Sequence, residues 1–266
     1  FTCDGKKTKR KNKYISKISK VNFYSDNEYN ASSHLKSLKN NIFFITIEKK
    51  CSIKKSKIKN LKKHNKKCKI YDKESVSKYV ILYSKYVKSI TFKDYLLEND
   101  GVAFAKLLNY YNFILTVVNI LKLYKFIHND LHFGNTLFDK KTKNLCLIDF
   151  GLSIYDLQKK YDDSNYDIDF YLNKLFIKFD PEWKFQPIEV HLCCYLLYEN
   201  DKINDDTLKE IIDIYYSSTK KVFGTLFKHL YQYKKKIFSY YKKLIENKKK
   251  DSILKMILLE SMFTWD

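Results

Sequence analysis

The chain has 266 residues, of which 45% are hydrophobic and 17% aromatic, which excludes a disordered polypeptide and supports a packed core. The formal net charge is +21, yet Arg10 is the single arginine among 51 basic residues. Because arginine is the side chain suited to bidentate phosphate contacts, the charge favours a solvated lysine surface, with nonspecific polyanion binding, over a dedicated nucleic-acid site.

Targeting signals are sparse. No run of about 18 apolar residues lacks a charge, which predicts no membrane span, and the opening FTCDGKKTKRKNK has no apolar signal-peptide core. The six cysteines form no short-spaced framework, which favours reduced thiols. We therefore expect an intracellular protein. Because residue 1 is Phe and the closing FTWD lacks a polar tail, we also expect a chain cut short at both ends.

The first third of the chain predicts strands with one helix between them. KYISKISKV, NNIFFITIEKKCSI and KYVILYSKYV are typical of strands by their alternation and their β-branched and aromatic content. NEYNASSHLKSLKN predicts a short helix capped by Asp26 or Asn27. Residues 54 to 77 are dense in lysine and predict an exposed connection.

From residue 92 onward the pattern becomes mainly helical. FKDYLLEND predicts one or two helical turns, and residues 101 to 126 repeat apolar side chains at the spacing of a long buried helix. LCLIDF predicts a short strand, and helices are predicted in residues 189 to 200, 205 to 247 and 252 to 263. This order predicts an α+β fold of two lobes, a β-rich N-lobe over residues 1 to 88 and a helical C-lobe over residues 89 to 266.

Two polar stretches stand out in the second lobe. HNDLHFGN contains Asp130 and Asn135, five residues apart, and Asp149 follows fourteen residues later at the end of an apolar strand. A loop, strand and loop of this size can return Asp149 to the first loop. Carboxylate and amide oxygens that converge in this way suit a hard cation such as Mg²⁺.

These stretches resemble the two central motifs of protein kinases. HNDLHFGN is similar to the catalytic loop H-R-D-L-x-x-x-N, and IDFG is similar to the metal-binding D-F-G. The resemblance implies ATP and Mg²⁺ as cofactors, with Asp130 as the base that orients the acceptor hydroxyl and with Asn135 and Asp149 as metal ligands. Its implied structural supports are His128, Phe150 and Gly151.

The same resemblance assigns an ATP site in the first lobe. Lys17, in YISK, corresponds to the strand lysine that contacts the α- and β-phosphates, with Lys20 as the alternative, and Glu28 corresponds to its helix partner. In the linker between the lobes, Ser84 corresponds to the gatekeeper. Backbone groups for adenine are implied at Lys85, Tyr86 and Val87. The segment before Lys17 shows one glycine and no glycine-rich loop.

Downstream, FQPIEVHL resembles the kinase A-P-E motif through Pro187 and Glu189, which implies an activation segment over residues 149 to 189. In the family this glutamate pairs with a late arginine, and the C-terminal half of this chain has none. TWD at the end resembles the start of the helix whose aspartate, here Asp266, supports the catalytic loop.

The departures from the family pattern concern the substrate. Asn129 replaces the arginine that reads a phosphorylated activation loop, and His132 stands where Ser/Thr kinases carry lysine. D-L-H-x-G-N also occurs in haspin-like and aminoglycoside-phosphotransferase-like enzymes. The A-P-E-like element and the long activation segment favour protein Ser/Thr acceptors. The whole pattern most resembles the divergent kinases of large DNA viruses, including a composition rich in Lys, Asn, Ile, Tyr and Phe that is typical of AT-rich genomes. We therefore predict a Ser/Thr-protein kinase with ATP and a protein as partners, in the host cytoplasm or virion if viral. The alternatives are a small-molecule kinase and a catalytically inactive kinase-like binding module.

Overall fold

The computed structural model describes residues 14–38, 41–54, 78–98, 101–176, 187–198 and 203–261. The chain forms two compact units, Phe1–Tyr155 and Asp156–Trp265. The glycine-poor opening segment, the predicted connection after Lys54 and Asp266 lie outside the described residues. The predicted lobe boundary at residue 88 stays a prediction. The division into compact units falls between Tyr155 and Asp156.

The first unit begins with an antiparallel sheet in the order β1-β3-β2. Its strands are β1 (Tyr14–Lys20), β2 (Ile47–Lys54) and β3 (Lys78–Lys85). The central strand β3 is buried on both faces, since Ile81 packs with Ile53 and Ile18 on one face while Leu82 packs with Ile47 on the other. Its continuous apolar run is the pattern expected of a strand with both faces covered.

A helix, α1 (Phe23–Lys36), follows β1. Its N-cap is Asn22, whose side chain accepts a hydrogen bond from the backbone N–H of Ser25 at 3.0 Å while the Ser25 side chain accepts from Asn22 in return. The prediction that Asp26 or Asn27 caps this helix is wrong, because both lie inside α1. The helix therefore begins and ends four residues earlier than predicted, and Asn27 and Glu28 lie on its buried side.

The rest of the first unit surrounds an aromatic core. A second antiparallel sheet has the order β4-β5-β6. Its strands are β4 (Ser89–Thr91), β5 (Thr136–Asp139) and β6 (Leu145–Leu147), and the helices α2 (Phe92–Leu97) and α3 (Ala103–Leu123) lie between β4 and β5 in the chain. The core contains Phe92, Phe113, Phe126, Phe138 and Phe150 and reaches back to Leu35 of α1. This one core therefore connects α1 to the segments around β5 and β6.

Among the described residues, α3 is the helix long and apolar enough to cross a membrane by length and composition. Four of its side chains, Phe113, Val117, Ile120 and Leu121, pack into the core. More than half of the residues of α3 are exposed, so the prediction of a buried helix is wrong along much of its length. Helices that pack into protein cores can have the same length and hydropathy, so α3 is only weak evidence for a membrane span.

The second unit is helical where it is described. Its helices are α4 (Leu157–Asp162), α5 (Ile168–Leu175), α6 (Ile188–Tyr198), α7 (Asp205–Phe223), α8 (Phe227–Tyr231), α9 (Lys234–Ile245) and α10 (Lys250–Met256). The stretch predicted as helical over 205 to 247 is interrupted, because α7 ends at Gly224, which has a positive φ of 52°. Leu192 and Cys193 of α6 and Leu208 of α7 are fully buried.

The cysteines agree only in part with the expectation of reduced thiols. Cys146, Cys193 and Cys194 are free and buried. Burial raises the pKa of Cys146 to about 11 and that of Cys194 to about 12, which keeps both as unreactive thiols. Cys51 is disulfide-bonded, so the prediction is wrong at this residue.

His191 on α6 gives the second unit a predictable sensitivity to acid. Burial lowers its pKa from 6.5 to about 4, so the unfolded chain binds a proton in this window that the folded chain does not. The free energy of unfolding should therefore fall as the pH drops from 6.5 towards 4, by up to about 3 kcal/mol at about 1.4 kcal/mol per pKa unit.

We expect His191→Phe, which keeps an aromatic ring against Tyr215, to reduce this loss in urea unfolding at pH 7 and pH 4.5. His229→Gln on the exposed face of α8 is the matched control and should follow the wild type. Equal acid sensitivity in all three proteins would contradict the assignment to His191.

Candidate active site

The hairpin of β5 and β6 brings the two kinase-like motifs together. Thr136 pairs with Leu147, and the N–H of Ile148 donates to the carbonyl oxygen of Asn135 at 3.0 Å. Asn135 ends the first motif and Asp149 follows Ile148. The antiparallel pairing therefore places both motifs at the same end of the hairpin, as the spacing predicted.

The first motif forms a closed loop around Asp130. The amide nitrogen of Asn135 donates to the Asp130 carboxylate at 3.0 Å and to the Asp130 carbonyl oxygen at 2.9 Å. Asn135 is buried, so its amide fixes the orientation of the half-buried Asp130 carboxylate. Since the nitrogen faces Asp130, the amide oxygen is the atom left to serve as a ligand.

His132 lies on the other side of the Asp130 carboxylate. Its Nε2 is 3.8 Å from Asp130, and its Nδ1 accepts a hydrogen bond from the N–H of Gly134 at 3.0 Å. A Cβ at Gly134 would lie 2.7 Å from the imidazole ring, so the ring occupies space that exists only because this residue is glycine. The histidine and the glycine of the D-L-H-x-G-N pattern therefore pack directly against each other in this loop.

Lys17, Glu28 and Asp149 meet although they lie on three separate elements. The Lys17 ammonium is 3.0 Å from the Glu28 carboxylate and 3.4 Å from both Asp149 oxygens. The register explains the contact with α1. Ile18 packs with the cluster on one face of the sheet, so the neighbouring Lys17 points to the opposite face, where Tyr29 of α1 packs.

The electrostatics of this cluster follow from burial and charge. Burial acts to lower the pKa of Lys17, but Glu28 and Asp149 together outweigh it and raise the pKa, so the lysine stays protonated. For Glu28 burial dominates and raises the pKa, although Lys17 opposes the shift. The Lys17 ammonium thus offsets part of the cost of burying the Glu28 carboxylate.

The segment that carries Asp149 has an unusual backbone. Asp149 has φ 65°, in the left-handed region that Asp and Asn tolerate better than most side chains. His128 is fully buried, donates from Nε2 to the Ile148 carbonyl oxygen at 2.9 Å and packs on Phe150, with 5.2 Å between ring centroids. Phe150 is itself in the core, which anchors the residue after Asp149.

The predicted adenine-binding linker leaves the first sheet at the end of β3. Ser84 pairs with Ile15 of β1 and Ile47 of β2. Lys85 and Tyr86 are exposed and Val87 is half-buried. The carbonyl oxygen of Val87 accepts from the Ser89 hydroxyl at 3.3 Å. The roles of these residues in adenine binding stay predictions.

Glu189, in the A-P-E-like element, has a partner that the sequence did not indicate. The hydroxyl of Tyr241 donates to its carboxylate, and burial together with this bond raises the pKa of Tyr241. Tyr241 is therefore the donor to Glu189, whereas the glutamate of the A-P-E motif that this stretch resembles pairs with an arginine. The lack of an arginine required another donor, but the 23 tyrosines of the chain gave no way to choose one.

The donor set is compatible with Mg²⁺. Among the described residues, no three His, Cys, Asp or Glu side chains gather as a metal-binding group. Mg²⁺ is usually held through one or two carboxylates and substrate phosphates rather than by an all-protein cage. The half-exposed Asp149 carboxylate and the Asn135 amide at the same end of the hairpin fit such a site.

The comparison with known families agrees with the architecture. A family model described as the ABC1 atypical kinase-like domain matches residues 50–168, which is less than half of the chain. Together with the small sheets and the helical second unit, this match confirms the predicted α+β, two-lobe kinase-like fold.

Other comparisons are more distant. The chain is similar to the solved structure of the kinase PK-1 of Cydia pomonella granulovirus, with 19% identity over 79% of this chain and 73% of that chain and a TM-score of 0.38. No curated protein matches the sequence significantly. The match to the ABC1 atypical kinase-like domain supports a kinase-like class and says nothing of the substrate.

The Tyr241 hydrogen bond predicts a measurable difference between two neighbouring tyrosines. Tyr241→Phe leaves Glu189 without this donor, and we expect the free energy of unfolding to fall by about 1–2 kcal/mol. Tyr240 is 60% exposed, so Tyr240→Phe should change it by less than about 0.5 kcal/mol. Urea unfolding of both variants measures the difference, and equal effects would show that the bond contributes little.

Proposed function

We propose that this protein transfers the γ-phosphoryl group of ATP to a hydroxyl acceptor with the help of Mg²⁺. The observation that carries the proposal is the contact of Lys17 with both Glu28 and Asp149, at 3.0 and 3.4 Å, beside the loop in which Asn135 holds Asp130. Phosphoryl transfer needs mainly alignment and stabilisation of charge, and these groups supply both.

Each side chain has a defined role in this proposal. Lys17 contacts the α- and β-phosphates, and Glu28 holds the Lys17 ammonium in place. Asp149 and Asn135 would hold Mg²⁺, which supplies charge neutralisation on the phosphates. Asp130 accepts a hydrogen bond from the acceptor hydroxyl and orients its oxygen towards the γ-phosphorus. The Asn135 amide keeps the Asp130 carboxylate in the orientation that this step requires.

We propose Ser/Thr hydroxyls of proteins as the acceptors. The support is the A-P-E-like start of α6, where Glu189 is tied to Tyr241. The first motif also lacks the arginine that, in the H-R-D motif of protein kinases, binds a phosphorylated activation segment. In its place Asn129 donates to the Leu152 carbonyl oxygen at 3.3 Å, which supports activity without that switch.

A small-molecule acceptor is the second candidate. His132, which lies 3.8 Å from Asp130, occupies the position where Ser/Thr kinases carry lysine, and the family match is to an atypical kinase-like domain. Lysine at this position suits a protein kinase, whereas the D-L-H-x-G-N loop is shared with small-molecule phosphotransferases.

The proposal predicts that Asp149→Asn and Lys17→Met each lower phosphoryl transfer by about a hundredfold or more, because each removes a charge next to the phosphates. The assay uses γ-labelled ATP, Mg²⁺ and a mixture of basic proteins and small hydroxyl compounds. Asp206→Asn, an exposed carboxylate on α7, is the control and should keep wild-type activity.

The distribution of label separates the candidates. Label on protein supports the Ser/Thr proposal, and label on small compounds alone supports the second candidate. If the wild type transfers no label and ATP with Mg²⁺ does not raise its melting temperature, the chain is a kinase-like binding module and the proposed function is wrong.

A further inference from the structure

Asn27 is a buried polar side chain that the kinase-like motifs do not use. It lies on α1 directly before Glu28 and is 4% exposed. Its amide nitrogen donates to the carbonyl oxygens of Gly151 and Ser153, both at 2.9 Å. Asn27 thus joins the helix that carries Glu28 to the segment that carries Asp149, across 124 residues of sequence.

The same segment is held from its other side by the first motif. Nε2 of His128 donates to the carbonyl oxygen of Ile148, and the Asn129 amide donates to that of Leu152. Ile127 and Ile154 exchange two backbone hydrogen bonds, at 2.8 and 2.9 Å. The first motif and α1 therefore bind neighbouring carbonyl groups of one short stretch, and Asn27 provides two of the hydrogen bonds from α1.

We propose that Asn27 is a positioning residue that couples the placement of α1 to the conformation of residues 149 to 154. This inference rests on the proposed function. A left-handed Asp149, with φ 65°, persists only where its surroundings determine the backbone. Both Asn27 bonds form only when α1 lies against the segment, which is also the arrangement in which Lys17 reaches Glu28 and Asp149 together.

The burial of the site makes this coupling strong. Gly151 and Ser153 present their carbonyl oxygens to a side chain in a buried environment, so removal of the donors leaves two acceptors without these bonds. The loss of such a bond usually exceeds the net contribution of an exposed hydrogen bond. Without the Asn27 bonds the segment is free to shift away from α1, and such a shift would move Asp149.

Two substitutions test the inference. Asn27→Leu keeps a similar volume without any polar atom, and Asn27→Asp keeps the shape but replaces the donating nitrogen with an oxygen. The assay is run well below the melting temperature of each variant. We expect the Mg²⁺ concentration that gives half-maximal phosphoryl transfer to rise about tenfold in both variants, and we expect the maximal rate to change less. We also expect faster amide hydrogen exchange in peptides that contain residues 149 to 154.

Ser32→Ala is the matched control. Ser32 is on the same helix and fully buried, and its hydroxyl has no hydrogen-bond partner among the described residues. This variant should leave the Mg²⁺ dependence and the exchange of residues 149 to 154 unchanged.

The outcomes separate the two proposals. If the Asn27 variants lose melting temperature but keep wild-type Mg²⁺ dependence and exchange, Asn27 is only a stabilising core residue and the inference is wrong. If the wild type shows no phosphoryl transfer, the proposed function fails, while the exchange measurement still tests the coupling. Faster exchange confined to residues 149 to 154 supports it, and unchanged exchange overturns it.

Discussion

The Lys17 ammonium lies between two carboxylates that would otherwise repel each other. Glu28 comes from α1 and Asp149 from the segment after β6, so one cation joins a strand, a helix and a loop that are distant in sequence. An exposed ion pair contributes only about 0–1 kcal/mol, and Lys17 is half exposed. The pairing therefore depends on the surrounding structure to hold its members in place.

The aromatic core supplies that support. Phe150 is the residue after Asp149 and lies in the same core as Leu35 of α1 and Phe126, which precedes the first motif. Burial of large aromatic side chains is worth several times more than an exposed ion pair. The core thus positions the charged groups, and the charged groups add the directionality needed for chemistry.

The sequence predicted what depends on local pattern. The spacing of Asp130, Asn135 and Asp149 predicted that one strand returns Asp149 to the first loop, and β6 does so by pairing with β5, a strand that the sequence analysis did not predict. The cap at Asn22 was missed because several polar residues precede the helix and each can cap it. Tyr241 and Asn27 act through distant partners, Glu189 and the Gly151 carbonyl, and nothing in a local pattern identifies such partners.

Tyr241 also has a consequence for how this part of the chain responds to its surroundings. Its bond to Glu189 has a neutral donor, whereas the protein-kinase motif that this stretch resembles pairs two opposite charges. Added electrolyte weakens exposed ion pairs such as that of Lys140 with Glu98. The Tyr241 phenol is uncharged near neutral pH, so this screening has little effect on its hydrogen bond to Glu189. We therefore expect that bond to persist at ionic strengths that weaken the exposed ion pairs.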